Sequence, residues 1–184
     1  GTFAFGLGAD ALSYDVEVRA IDFTLESSDI PFPIASSMAA FGFGLDVPVL
    51  KREEPQDFAA RLAPTDVTVP EPLWMMVDAG GELPRDPVTV ELVTSGEARL
   101  FVDVFDEKAT AQLSTGGGAP GEVTRFGLDR LLLRAAGATI AATGGFDIDN
   151  TAESKLIPDM PAFAGQVDLR LTGVQGLIGK LGQM

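Results

Sequence analysis

Apolar and polar side chains alternate along most of this chain, the pattern of half-buried strands. In "SYDVEVRAIDFTLESS" one face reads Tyr14, Val16, Val18 and Ala20, and the phase then flips to Ile21, Phe23 and Leu25. Such a flip would turn the side chains over, so a bulge or bend is expected near Ala20-Ile21. "FGFGLDVPV" sets Phe41, Phe43, Leu45, Val47 and Val49 against Gly, Gly, Asp and Pro, and Pro48 suits an edge or a strand end. "PQDFAARLAPTDVTV" fits a helical or a strand period, with Pro64 arguing against a long helix. "PVTVELVTSGEARLFVDVF" reads as a hairpin turning at Ser95-Gly96. A strand is expected from about Val123 to Arg134, a turn at Ala136-Gly137, and a second strand from Thr139 to Ile148. "GQVDLRLTG" alternates Val167, Leu169 and Leu171 against Gln166, Asp168 and Arg170.

Helical signals are short. "PEPLWMMVDAGG" has Pro near the start, acidic Glu71, apolar Leu73, Trp74 and Val77, and a Gly80-Gly81 stop. Val174, Leu177, Ile178 and Leu181 lie at helical spacing, weakened by Gly176, Gly179 and Gly182. "STGGGAPGE" reads as a flexible loop and "PDMPAF" as an irregular connection. The expected fold is mainly β: a curved, mostly antiparallel sheet with two or three short helices, forming one β-rich unit over residues 1–184. Strands recur without intervening helices of ~10–15 residues, which disfavours a parallel α/β fold.

Composition narrows the function classes. Hydrophobic residues make up 46% of the 184 positions, enough for a folded chain. Thirteen Lys and Arg stand against 27 Asp and Glu, a net charge of −14. That charge repels phosphate backbones, and the Lys51-Arg52 pair is followed at once by Glu53-Glu54, so no nucleic-acid partner is expected. No apolar run approaches the ~20 residues of a membrane-spanning helix. Cys and His are both absent, which removes thiolate chemistry and the commonest general base and metal ligand.

The remaining motifs carry little chemistry. "GLGADA", Gly6 to Ala11, fits a loose dinucleotide fingerprint, but a strand pattern follows where a helix is needed. "GGG" at 116–118 lacks the Lys and Ser or Thr of a phosphate loop. "DIDNT", Asp147 to Thr151, opens like a calcium loop, yet Ala152 and Pro158 occupy the places of the required Gly and Glu. Asp103, Asp106 and Glu107 read as a solvated strand end, and Arg125, Arg130 and Arg134 as the polar positions of a strand. No catalytic residue, metal ligand or cofactor is assigned, and no enzyme is expected.

The apolar faces stand apart. Leu131, Leu132 and Leu133 make both faces of one strand apolar, and Ile140, Ala142, Gly144, Phe146 and Ile148 make one face of the next. One reading is a core packed under the chain's own helices. The other is a groove for acyl chains, with room left by Ala142 and Gly144. The candidate ligand-binding residues are therefore Ile140, Ala142, Gly144, Phe146, Ile148, Val167, Leu169 and Leu171.

From about Ile30 onward, "PQDFA…DVTVPEPLWMMVD…LPRDPVTVEL…GEARLFVDVFD…LDRLLLRAAGATIAATGGFDIDN…MPAFAGQVDLRLTGVQGLIGKL" resembles the carboxy-terminal part of an alphaproteobacterial family, domain of unknown function 2125. The resemblance implies a periplasmic protein and a segment of a longer chain. "LLLRAAGATIAATGGFDID" is also similar, more loosely, to the repeating hairpins of AsmA-like envelope proteins. Those form long, curved antiparallel sheets (β-taco grooves) implicated in moving or organising lipids between membranes. The resulting expectation is a non-catalytic periplasmic protein that binds lipid or another apolar ligand in a sheet groove. The alternative is a structural or interaction module of the cell envelope, with a protein partner.

Overall fold

A single antiparallel ladder organises the chain. The computed structural model describes residues 1–8, 10–26, 32–109, 111, 119–155, 157 and 160–181. Eight strands pair strictly in sequence order: β1 (Thr2–Leu7), β2 (Ala11–Leu25), β3 (Ile34–Pro48), β4 (Gln56–Thr65), β5 (Thr89–Leu100), β6 (Gly121–Ala135), β7 (Ala138–Glu153) and β8 (Pro161–Thr172). Each neighbour is antiparallel, and the sheet is open. Strand β7 has 16 residues, which at ~3.3 Å per residue makes it roughly 50 Å long. The chain is thus mainly β, as its period-two pattern predicts. Helix α1 (Glu71–Val77) interrupts the β4–β5 connection, and α2 (Val174–Leu181) follows β8 and lies against β7. Residues 107–109 add a helical turn.

An open sheet buries little. The chain exposes 12035 Å², whereas a compact monomer of its mass exposes about 8,500 Å². The buried apolar residues among those described are Val49, Trp74, Leu83, Leu132, Ala138 and Ala142. Trp74 and Leu83 belong to the segment between β4 and β5, which Asp78 ties together. The fully buried Asp78 carboxylate accepts hydrogen bonds from the Glu82 and Leu83 amides and pairs with Arg85. Arg85 also lies 4.7 Å from the centroid of the Trp74 ring. Burial pushes the Asp78 carboxyl up, but Arg85 and the two amides outweigh it and hold the group below its ordinary value.

Local chemistry explains the punctuation. Ala136 and Gly137 both have positive φ (50° and 76°), the geometry that closes a two-residue hairpin between β6 and β7. Ala20 has φ 53°, and the pairing of β2 with β3 resumes at Ile21↔Met38 in the same register. The phase flip is therefore a bend, with no inserted residue. Pro48 ends β3 as expected, and the ambiguous "PQDFAARLAPT" is strand β4.

The hairpin expected at Ser95-Gly96 is wrong. Strand β5 runs straight through both residues, pairing with β4 on one side and β6 on the other. Gly96 is there for space. A Cβ at that position would stand 2.2 Å from the Arg125 carbonyl oxygen and 2.6 Å from Cζ of Phe58. The glycine leaves room for a neighbouring strand and an aromatic ring, a role that looks identical to a turn signal in one dimension. Of "PDMPAF", expected as an irregular connection, Pro161 to Phe163 belong to β8, and its first two residues lie outside the described residues. The expected loop at "STGGGAPGE" falls largely outside the described residues.

Candidate apolar binding face

Directly paired residues of antiparallel strands share a face, so the register sorts every side chain. One row reads Phe3, Val16, Phe43, Leu62, Leu92, Leu131, Ala142 and Leu169 from β1 to β8. The neighbouring row on that face reads Phe5, Tyr14, Leu45, Ala60, Thr94, Leu128, Gly144 and Val167. No charged side chain stands in either row. A bulge at Asp129 keeps the face continuous: Leu128 pairs with Thr94, whereas Arg130 pairs with Val93. That shift puts Leu131 and Leu133 beside Phe126 and Leu128 and sends Arg130 and Leu132 to the other side.

The opposite face is polar and internally neutralised. Arg125 bonds Glu97 at 2.9 Å and Asp147 at 3.3 Å. Arg130 bonds Glu91, and Arg61 lies 3.9 Å from Asp15. The arginines therefore do not converge on a shared anion site. Small residues, Ala4, Gly6, Ser13, Gly44 and Ala59, line an open trough of about 370 Å³ beside Asp15 and Arg61.

All eight residues expected to bind a ligand lie on the apolar face. Ile140 pairs with Leu171, Ala142 with Leu169, and Gly144 with Val167, while Phe146 and Ile148 continue the row toward Phe163. Their exposure differs. Val167, Leu169 and Leu171 are 50%, 61% and 53% exposed, whereas Ala142 is buried at 6% between its larger neighbours. Neither helix covers Val167, Leu169 or Leu171: α2 lies against β7 with its Ile178 exposed, and Met75, Met76 and Val77 of α1 are exposed as well.

Near the start of β6 the face deepens into a pocket of about 220 Å³ lined by Phe126, Phe146, Ile148, Ile157, Met160, Pro161 and Phe163, with no polar surface. Phe146 and Phe163 meet edge to face at 5.9 Å. The connection from β7 to β8 supplies Ile157 and Met160, pinned where the Ser154 amide bonds the Met160 carbonyl at 2.8 Å. Of these residues sequence reasoning found Phe146 and Ile148. Phe126 could have been found from its alternation with Leu128; Ile157, Met160 and Pro161 come together only through the return of the chain.

The weaker motifs dissolve into local structure. Gly6 and Leu7 end β1, and β2 follows directly, so no helix faces a diphosphate. Asp147 through Thr151 lie within β7. The Thr151 hydroxyl and amide both bond Asp149 and hold its carboxyl below the usual range. Asp103 accepts from the Lys51 amide, and Asp106 accepts from the amides of Lys108 and Ala109. No cluster of three or more metal-ligating side chains occurs among the described residues. None of the described helices is long and apolar enough to cross a membrane.

In comparison with known proteins, no family model matches the chain, no curated protein matches its sequence, and no solved structure matches its fold.

Proposed function

We propose that this sheet is a periplasmic, non-catalytic binding surface for lipid or another apolar ligand. The observation that carries the reading is the uncharged face crossing all eight strands, with Val167, Leu169 and Leu171 open at its end. Apolar area gains roughly 25 cal/mol for each Å² removed from water, so an acyl chain laid on this face is favoured without a polar anchor. Binding by burial requires no covalent step. The sequence resemblance to the alphaproteobacterial family supports the compartment, and that to AsmA-like proteins supports the ligand class. Native mass spectrometry of gently purified protein should reveal bound acyl lipid, and a fluorescent fatty acid should be taken up. Repeated preparations with neither would overturn the reading, and cell fractionation tests the compartment.

A second reading, an envelope interaction module, is favoured by β1. Its Phe3, Phe5 and Leu7 are exposed along an edge strand of six residues that carries neither charge nor Pro. Natural sheets usually protect such edges. A protein partner recovered by the native chain and lost with Phe5→Asp would support this reading, and recovery unchanged by that substitution would remove the edge from it.

A further inference from the structure

We infer that the pocket at Phe126, Phe146 and Phe163 receives the methyl end of a single acyl chain, whose remainder runs along β8 toward the Ala136-Gly137 hairpin. The inference rests on the lipid-binding reading and adds the chain's direction and its end point. Three observations point the same way.

The pocket wall offers no polar surface. A peptide seated there would leave its amides without partners, at a cost of roughly 1–3 kcal/mol each. A carboxylate or phosphate would fare worse. By the strand alternation Asp147 and Asp149 project to the other face, and so does Arg125, held by Glu97 and Asp147. The end of a hydrocarbon chain is the occupant with nothing to lose.

The pocket is built, because its aromatic floor depends on a glycine. A Cβ on Gly165 would stand 2.7 Å from Cδ1 of Phe146 and 2.0 Å from the Gly145 carbonyl oxygen. Gly165 thus lets the Phe146 ring settle against the next strand, where it meets Phe163.

A path leads away from it. Phe163, Val167, Leu169 and Leu171 stand in line on this face of β8, the last three 50%, 61% and 53% exposed. From Phe163 to Leu171 this track is about 26 Å long. A lipid chain crosses about 15 Å in one leaflet of a ~30 Å bilayer core, so a whole chain fits.

The test uses two photoreactive fatty acids, one with its diazirine at the methyl end and one with it beside the carboxyl group. Native mass spectrometry of the same samples confirms occupancy, and adducts are then mapped by peptide sequencing. The methyl-end probe should label Ile157, Met160 or Phe163, and the carboxyl-end probe the region of Leu169 to Leu171. Ile157→Asp should lower methyl-end labelling at least tenfold in protein whose circular dichroism is unchanged. Bound probes that label in reverse, or both at the same residues, overturn the direction and leave the lipid-binding reading intact. Absence of any bound probe overturns both.

Discussion

Leu169 and Arg170 are neighbours in the chain and belong to opposite faces of the sheet. Leu169 continues a row of apolar side chains reaching back to Phe3, whereas Arg170 continues the side where Arg125, Arg130 and Arg61 each face an acid. The polar side neutralises itself across strands, with water supplying the rest. The apolar side has nothing equivalent, because its only partners are its own neighbours. In a two-layer fold a second sheet or a set of helices would cover it. Here that face is half-buried on the inner strands, and its most exposed large residues stand on β1 and β8, each flanked on one side only.

The comparison can be sharpened by substitution. The largest effect is expected at Leu132, which lies on the polar side yet is only 8% exposed. Leu132→Ala should cost about 2–5 kcal/mol in urea unfolding. Leu169→Ala, on the apolar side but open, should cost less than ~1 kcal/mol. Equal losses would show that burial does not set the energetics. Next comes Gly96→Ala, whose methyl has no space between Phe58 and β6. A loss of about 1–3 kcal/mol is expected. Combining it with Phe58→Ala should give a non-additive cycle, and strict additivity would mean the ring does not press on Gly96. Val167→Asp should leave the unfolding midpoint nearly unchanged, within ~1 kcal/mol. It should nevertheless weaken fatty-acid uptake at least tenfold, and undiminished uptake would break the assignment of this face to the ligand. The smallest effect belongs to Arg125→Ala. Its side chain is 60% exposed, so losing both ion pairs should cost at most ~1 kcal/mol and less at high salt. A larger, salt-independent loss would mean that charge pairing holds the sheet together.

Much of this architecture was legible one strand at a time. Ala136-Gly137 between two alternating runs specified a tight hairpin, whereas the room expected at Ala142 and Gly144 is taken up, Ala142 being 6% exposed and Gly144 lying under a Val167 methyl. Gly96 misled, since a glycine after serine looks the same whether it turns the chain or yields to a ring from the next strand. The aromatic pocket was only half visible: Phe146 and Ile148 lie on a clean alternating strand, while Ile157 and Met160 sit in a connection without period.

What the sequence determined by itself is the two-sidedness. A period of two places residues on alternate faces of any strand they form, whatever its partners. Its acidic charge and lack of His and Cys likewise restrict the chemistry without reference to the fold. The tertiary structure alone decided that all eight strands join in chain order, and that a bulge at Asp129 brings Leu131 and Leu133 into line with Phe126. It alone decided that the helices leave Val167, Leu169 and Leu171 uncovered. Pairing register and coverage are set by contacts between residues far apart in the chain, and a local pattern carries no record of which strand lies beside it.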